Sequence, residues 1–381
     1  MPVRKRDILA AAKAAGLFAL ARQRTAGGIR ILGYHGLWLG ADRFPGDPMF
    51  MQAATFKRRL ELIRREGYPV VTLQAAIDAL RGHGDPLPPA AVVITIDDGW
   101  FSTYSGMLPV LEAHGMPATL YCDTAQLLGG LPIAHVMARY LERIAELTPS
   151  AERANPANIQ AVNEARATAT DMTLTMDQRL DATRQLAVAL GIAITPYLDA
   201  RVFAYMTSDE LRDAHARGLD VQLHTHRHTL GTMSEPVITE EIRLNQHHLG
   251  AILGKPPANF SHFCYPSGIA GDNAARVLAG LNLESSTTTG QGIAQRGMPM
   301  HLLPRMLDGE HMSEIEFEAE LSGFADWAWQ RRRSAKRSAS FVLDSQTTTD
   351  GRPLSPLVPK TLRSAIGTLR SGIFGSSVRP R

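Results

Sequence analysis

Short apolar runs alternate along this chain with stretches of helical spacing. The short, mostly apolar runs 29–34, 91–96 and 118–122 predict strands, and the continuous run 91–96 is apolar on both faces. Between them, residues 53–67 and 108–114 place apolar side chains at helical intervals, and a glycine ends or follows each stretch. Strands that are apolar on both faces suit a parallel sheet covered by helices. The pattern therefore predicts an α/β fold.

The alternation is interrupted over residues 130–206, where helical patterns dominate and strand signals are few. It returns at residues 207–210, whose Thr-Ser-Asp-Glu sequence is typical of a helix start. Further strands are predicted at 219–223 and 260–265. We therefore predict a distorted (β/α) barrel over residues 29–330 with a helical insertion.

The two ends of the chain differ from this body. Residues 1–28 have a basic start and the spacing of an amphipathic helix, which either packs on the domain or lies on a membrane surface. The formal net charge is only +3, yet residues 331–381 are strongly basic and lack periodicity. We predict a mostly disordered basic tail. Because the tail has few aromatic residues, we expect no nucleic-acid binding, and a peripheral membrane contact is the alternative.

Cysteine content and hydropathy exclude several classes of protein. The two cysteines, Cys122 and Cys264, rule out a disulfide framework or a Cys-rich metal module. No apolar run approaches the roughly 18 residues of a spanning helix, and Lys13 interrupts the N-terminal apolar stretch. We accordingly expect a cytoplasmic or peripheral membrane protein without a signal peptide.

Polar residues follow several of the predicted strands. His35 ends the first strand, Asp97 and Asp98 end the strand 91–96, and His224 and His228 follow a later one. Because the carboxyl ends of parallel strands meet on one face, these side chains should converge. Adjacent carboxylates repel unless one is neutralised, for example by a metal ion. The simpler alternative is an Asp-rich turn followed by an exposed His-rich loop.

The histidine spacing favours the metal interpretation. His224 and His228, four residues apart, can point the same way and combine with one carboxylate into a metal site with open positions. A non-haem iron oxygenase uses a similar ligand set, but such enzymes present His-x-Asp on a double-stranded β fold. An Asp pair followed by His-x-x-x-His on alternating strands and helices does not match that pattern, so the metal site is kept and the oxygenase is disfavoured.

The motifs around these residues resemble those of the polysaccharide deacetylase family, also called NodB-homology or carbohydrate esterase family 4. Residues 95–99, Thr-Ile-Asp-Asp-Gly, are similar to the family's Thr-Phe-Asp-Asp-Gly motif. Residues 218–228 keep its spacing from a glycine to His-Thr-x-x-His. Residues 263–268, Phe-Cys-Tyr-Pro-Ser-Gly, resemble the Tyr-Pro-x-Gly variant of its third motif. The resemblance extends over about residues 29–305 and implies the family's (β/α) barrel.

The resemblance also implies roles for these residues. Asp98, His224 and His228 would bind a divalent metal ion, usually Zn²⁺, and Asp97 would be the general base that activates water. The turn after the later strand would bind substrate, with a backbone N–H, that of Ser267, as an oxyanion donor. Its residues are Tyr265, which would line the sugar site, Pro266, Ser267 and Gly268.

Two departures from the family pattern require other residues. Cys264 stands where many members carry an arginine that orients the base, and we assign that role to Arg305 as a hypothesis; a structural salt bridge is the alternative. A general acid must also protonate the leaving amine. We favour His35, in a Leu-Gly-Tyr-His segment similar to that of permuted members, over His301.

These residues together predict a metal-dependent hydrolase. Its substrate would be an N-acetylated polysaccharide or oligosaccharide that contains GlcNAc, such as an exopolysaccharide or its precursor, from which it would remove N-acetyl groups. One alternative is an O-acetyl esterase or another amide hydrolase with the same metal site. A second alternative is an inactive carbohydrate-binding protein.

Overall fold

The computed structural model describes most of the chain up to residue 327. The described residues are 4–41, 44, 46, 49–147, 156–171, 173–230, 233–271 and 273–327. The predicted basic tail, residues 331–381, lies outside them. The division of the chain into a helix, a barrel and a tail therefore stays a prediction.

The chain divides into two compact units. One comprises the described residues of 28–311, and the other combines the described segments 4–27 and 312–327. The strands, all in the first unit, are β1 (Arg30–Tyr34), β2 (Gly36–Leu37), β3 (Phe50–Met51), β4 (Val92–Asp98), β5 (Thr119–Cys122), β6 (Asp220–Leu223), β7 (His262–Cys264), β8 (Ser285–Thr287) and β9 (Met306–Leu307).

Seven of these strands form one curled parallel sheet. Their order is β8-β7-β6-β5-β4-β1-β9, and each neighbouring pair is parallel. Every residue of β4, near the middle, is buried, as its unbroken apolar run predicted. The predicted (β/α) barrel fold is confirmed, with the sheet curled into a half-barrel.

Helices connect and cover the strands. They are α1 (Lys5–Ala14), α2 (Leu17–Arg24), α3 (Ala53–Arg65), α4 (Leu73–Arg81), α5 (Leu108–His114), α6 (Thr124–Gly129), α7 (Ala134–Leu147), α8 (Pro156–Thr170), α9 (Met176–Ala189), α10 (Thr195–Asp199), α11 (Ser208–Ala216), α12 (Glu235–Leu253), α13 (Ala274–Gly280) and α14 (Glu314–Leu321). Among the described residues, no helix combines the length and apolarity that crossing a bilayer requires.

The interruption of the alternating pattern corresponds to a run of helices. Helices α7, α8, α9 and α10 fall within residues 130–206, and the described part of this stretch contributes no strand to the sheet. Its two ends meet, since the N–H of Ile133 donates to the carbonyl of Phe203 at 2.8 Å. The insertion therefore leaves and rejoins the barrel at nearly one place. Helix α11 then begins with the capping box of Thr207 and Glu210.

The N-terminal segment differs from the single helix predicted for it. Helix α1 ends before Gly16, whose φ of +74° lies in the left-handed region, and α2 begins at the next residue. Glycine adopts that conformation without the steric cost of a side chain, so the chain changes direction there. Within this unit, Leu9 and Phe18 pack with Ala319 of α14.

Candidate active site

The two carboxylates at the end of β4 lie beside different partners. Asp97 and Asp98 are each only 3% exposed. Successive strand residues face opposite sides of a sheet, and Asp98 adds a change of direction through its φ of +76°. The two side chains therefore diverge, and each of the two buried negative charges finds its own partners.

Asp98 meets two imidazoles that follow β6. Its Oδ1 lies 3.4 Å from Nε2 of His224 and 3.2 Å from Nε2 of His228. Although this oxygen is buried, none of the described residues gives it a hydrogen bond of good geometry. Burial would raise the pKa of Asp98, but the two imidazoles outweigh it and hold the pKa well below its ordinary value.

Backbone contacts orient His224 towards Asp98. Its Nδ1 is 2.8 Å from the carbonyl oxygen of Cys264, so Nδ1 carries the proton and donates it there. Its main-chain N–H donates to Oδ1 of Asn245 at 2.9 Å. In the neutral ring this tautomer leaves a lone pair on Nε2, which is the usual arrangement of a metal-binding histidine.

Three ligand atoms at these separations fit a divalent metal ion. Two ligands bound to Zn²⁺ at its usual distances and tetrahedral angles lie about 3.3 Å apart, close to the 3.4 and 3.2 Å that separate Asp98 from His224 and His228. The orphaned Oδ1 of Asp98 supplies the anionic ligand. Asp98, His224 and His228 therefore form a group that can hold a metal ion.

A second group of possible ligands fits a metal ion less well. Asp97, His224 and Cys264 also bring one ligand atom each close together. Burial raises the pKa of the Cys264 thiol well above its ordinary value, so the sulfur stays protonated, whereas metal ions bind the thiolate. In addition, the carboxylate of Asp97 already pairs with an arginine.

That arginine is Arg305, which comes from the segment just before β9. Its Nη1 and Nη2 donate to the two carboxylate oxygens of Asp97, each at 2.7 Å. Burial alone would raise the pKa of Asp97, but the charge and hydrogen bonds of Arg305 outweigh it and lower the pKa below its ordinary value. Asp97 is therefore ionised at neutral pH and fixed in orientation.

The structure brings His35 to Asp97 and leaves His301 with another partner. Nε2 of His35 lies 3.9 Å from Oδ2 of Asp97, and the side chain of His35 is 25% exposed. Nδ1 of His301 instead lies 2.9 Å from Oγ of Ser286, and burial lowers the pKa of His301. His35 is thus both adjacent to the carboxylates and reachable from solvent.

The turn after β7 contains one exposed residue. Ser267 is exposed and has a φ of +56°, which is strained for a residue with a side chain. The N–H groups of Gly268 and Ile269 donate to carbonyls within the turn. A Cβ on Gly268 would come within 2.1 Å of Oγ1 of Thr289, so a glycine is required at this close approach.

The expected role of Tyr265 in lining a sugar site needs correction. Its side chain is completely buried, and its ring packs edge-on against Phe263 at a centroid distance of 5.1 Å. Pro266 is buried as well. Aromatic packing beneath the turn uses the surface that a sugar would need, so only Ser267 and Gly268 of this turn offer exposed or half-exposed atoms.

Three residues that contact the site were missed from the sequence. The indole N–H of Trp100 donates to Oδ2 of Asp98 at 2.8 Å, and the N–H of Asp123 donates to the carbonyl of Asp98 at 3.2 Å. Asn245 bridges β5 and β6 by accepting from His224 and donating to Cys122. Asp123 follows a predicted strand directly, as Asp97 does, so that signal was present. Asn245 shows in the sequence only as one of several polar residues of a predicted helix.

Comparison with known proteins finds similarity to deacetylases. Residues 167–286, which include both histidines and the turn after β7, match the family model described as polysaccharide deacetylase. The poly-β-1,6-N-acetyl-D-glucosamine N-deacetylase of Escherichia coli K12 is 36% identical over 83 residues. This match spans 21% of the chain and 12% of that protein, so it covers a small part of the relative's length.

Solved structures share the fold. The deacetylase PplD of Streptococcus pyogenes, in complex with acetate, superimposes with a TM-score of 0.53 at 20% identity, covering 77% of this chain and 98% of its own. IcaB of Ammonifex degensii gives 0.51 at 19% identity, covering 78% and 97%. Fold and site together define a (β/α) barrel of the deacetylase type. With the family-model match over residues 167–286, the chain is similar to polysaccharide deacetylases, as its motifs indicated.

Zn²⁺ binding to the metal-free protein is expected to displace a proton from His228. Burial disfavours charge on this imidazole, but Asp98 outweighs burial and raises the pKa of His228 to about 9. Below that pH the proton must leave before the nitrogen can bind metal, so the affinity should rise by up to about tenfold per pH unit between about pH 7 and 9. Calorimetry in buffers of different ionisation enthalpy measures the released proton.

The matched control for this experiment is His301→Ala, which should bind Zn²⁺ with the pH dependence of the wild type. His228→Ala should bind more weakly and release fewer protons. An affinity that does not change with pH would contradict the assignment of His228 as a ligand.

Proposed function

We propose that this protein is a metal-dependent N-deacetylase that removes N-acetyl groups from a GlcNAc-containing polysaccharide or its precursor. The observation that carries the proposal is the division of two adjacent carboxylates. Asp98 joins His224 and His228 in a metal-binding group, whereas Asp97 remains outside that group and pairs with Arg305. The named substrate of the Escherichia coli relative, poly-β-1,6-N-acetyl-D-glucosamine, supports the choice of polymer.

Asp97 is the general base in this proposal. A divalent metal ion held by Asp98, His224 and His228 would lower the pKa of water and polarise the acetamide carbonyl. Both oxygens of Asp97 already accept from Arg305, but each carboxylate oxygen has a second acceptor position. Asp97 therefore accepts a proton from the attacking water without losing the arginine that orients it.

His35 is the general acid and lies on the same side of the sheet as the base. Its Nε2 is 3.9 Å from Asp97, so acid and base can reach one small amide between them. Attack of water on the amide carbon forms a C–O bond, the backbone N–H of Ser267 stabilises the developing oxyanion, and His35 donates a proton to the departing nitrogen. The C–N bond breaks, leaving acetate and a free amine on the sugar.

The Asp97→Asn variant tests the base assignment. We expect acetate release from β-1,6-linked N-acetylglucosamine oligosaccharides to fall by about 10² to 10⁴, because Asn cannot accept the proton. Zn²⁺ should still bind, since Asp98, His224 and His228 are unchanged. Acetate release and metal content are measured on the same samples.

Asp213→Asn, at an exposed position of α11, is the control and should retain wild-type acetate release. Full activity in Asp97→Asn would refute the base assignment. Release of acetate from O-acetyl sugars but not from N-acetyl sugars would instead make the protein an esterase with the same site.

The Arg305→Gln variant distinguishes a positioning role from a structural salt bridge. In the wild type, Arg305 lowers the pKa of Asp97 against burial, so the ionised base persists to low pH. Without the guanidinium, burial should raise that pKa, and activity should be lost at a higher pH on the acid side. The pH profile of kcat/KM measures this shift.

The conservative variant Arg305→Lys keeps the positive charge but loses the two parallel hydrogen bonds. The acid side of its kcat/KM pH profile should lie between those of the wild type and Arg305→Gln. If both variants lower the Tm and leave the acid limb unchanged, Arg305 is only a structural partner of Asp97.

A pair of substitutions decides between the two candidate acids. His35→Gln should lower kcat by at least about 100-fold, because the leaving nitrogen then lacks its proton donor. His301→Gln should lower it far less, since His301 is bonded to Ser286 rather than placed beside Asp97. Steady-state kinetics on the N-acetylated oligosaccharide would reverse the assignment if His301→Gln were the more damaging change.

A further inference from the structure

The main chain of Asp98, the proposed metal ligand, has a conformation that is uncommon for a residue with a side chain. Its φ of +76° lies in the left-handed region, which costs energy for a residue with a side chain and persists only when the surroundings impose it. Oδ1 faces His224 and His228, so Oδ2 and the main chain are the atoms through which the surroundings can act.

Trp100 holds the second carboxylate oxygen. Its indole N–H donates to Oδ2 of Asp98 at 2.8 Å, and the residue is only 1% exposed. The indole cannot swing away, because its ring lies edge-on to Phe50 at 5.1 Å and to Tyr205 at 4.8 Å. Trp100 therefore fixes which oxygen of Asp98 remains for the metal ion.

Tyr205 lies in the last part of the helical insertion and pairs with the loop that contains Trp100. It forms an isolated antiparallel bridge with Trp100, flanked by hydrogen bonds from Phe101 N–H to the Ala204 carbonyl at 2.9 Å and from Met206 N–H to the Gly99 carbonyl at 2.8 Å. The segment leaving the insertion thus runs antiparallel to the residues that follow Asp98.

The hydroxyl of Tyr205 contacts Asp123, which in turn binds the main chain of Asp98. It donates to Oδ2 of Asp123 at 2.8 Å, and the N–H of Asp123 donates to the carbonyl of Asp98 at 3.2 Å. The side chain of Asp98 is thereby held through Trp100 and its main chain through Asp123, and Tyr205 contacts both of these residues.

An arginine and an aromatic cluster fasten this segment to the rest of the insertion. Nη2 of Arg201 donates to the carbonyl of Tyr205 at 2.9 Å, and its guanidinium lies 3.7 Å from the ring centroid of Phe101. The ring of Tyr140 of α7 packs at a tilt against Phe50, the other aromatic neighbour of Trp100, at a centroid distance of 5.3 Å. Packed aromatic rings therefore run from the first helix of the insertion to the metal ligand.

We propose that the helical insertion positions Asp98 for metal binding, acting through Tyr205 and Trp100. Trp100 and Tyr205 are positioning residues, since they touch the ligand or its neighbour and not the reacting atoms. The inference rests on the proposed metal site at Asp98, His224 and His228. It gives residues 130–206 a function that the motifs do not assign, since all the motif residues lie in the barrel.

The test measures metal binding by the full chain, with Zn²⁺ alone as the probe. Trp100→Phe removes the N–H donor but keeps an aromatic ring, and we expect its Zn²⁺ affinity to fall by about tenfold or more, as for other groups that orient metal ligands. Tyr205→Phe removes one hydroxyl, and its affinity should fall by a smaller factor. Affinities are obtained by competition with a chromophoric chelator.

Trp38→Phe is the matched control. Trp38 lies in the same cluster, stacked on Tyr140 at 5.4 Å, and its substitution should leave the Zn²⁺ affinity within about twofold of the wild type. The absorption spectrum of bound Co²⁺ provides a second measurement, because it reports ligand geometry directly. It should change in Trp100→Phe and stay unchanged in Trp38→Phe.

Two results would overturn the inference. One is a Zn²⁺ affinity and Co²⁺ spectrum in Trp100→Phe and Tyr205→Phe equal to those of the wild type. The other is a lower Tm of the metal-free variants without any change in affinity, which would show a purely structural role. If Trp100→Phe does not fold, Tyr205→Phe decides alone.

Failure of the metal site itself has a different signature. If the wild type does not bind Zn²⁺, or if His224→Ala binds it as tightly as the wild type, the proposed function and this inference both fail. A weaker affinity in His224→Ala together with unchanged affinities in Trp100→Phe and Tyr205→Phe would refute the inference alone.

Discussion

The adjacency of two buried carboxylates at the end of β4 is the constraint on which the rest of the site depends. Like charges this close, in a medium of low polarity, each disfavour ionisation of the other. In the structure each carboxylate has its own partners: Arg305 pairs with Asp97, and two imidazoles lie beside Asp98. The pKa of each carboxyl is lowered despite burial. Two chemically identical side chains thus acquire different environments, which is the condition for different roles.

Strained backbone conformations gather at the same end of the sheet. Asp98, Thr225, His228 and Ser267 have side chains and yet adopt positive φ values. Each lies at a strand end or in the turn that follows, where the chain must turn sharply to aim a side chain or an amide inwards. Such conformations are kept only where neighbouring contacts enforce them. Such contacts include the hydrogen bonds from Trp100 to Asp98 and from the N–H of Thr229 to Oγ1 of Thr225.

Local patterns predicted what depends on local sequence. The parallel strands, the capping box at Thr207 and the convergence of Asp98 with His224 and His228 follow from apolar runs and from motif spacing. The sequence did not show the break at Gly16, because a glycine in an alanine-rich helix pattern is often tolerated. It also did not show that Tyr265 is buried. Whether an aromatic ring faces a cleft or packs beneath it depends on neighbours such as Phe263, which pairs with it only once the strand is folded.

Contacts made over long separations were harder to predict. Arg305 reaches Asp97 across 208 positions of the chain, and only the departure from the family pattern at Cys264 prompted the hypothesis. Nothing in the sequence pattern connected Trp100 with Tyr205, since their contact depends on how the insertion returns to the barrel. Residues from distant segments that meet around one side chain leave no periodic signal.

The position of Arg305 explains how Cys264 fits beside Asp97. A buried guanidinium must use its donors, and those of Arg305 reach Asp97, Oγ1 of Thr95 and the carbonyl of Thr288. Cys264 places its sulfur 3.7 Å from Oδ2 of Asp97, and burial keeps the thiol neutral. A second arginine at that position would bring another cation to a carboxylate whose two oxygens are already bonded. A small neutral side chain on β7 therefore goes together with an arginine supplied from before β9.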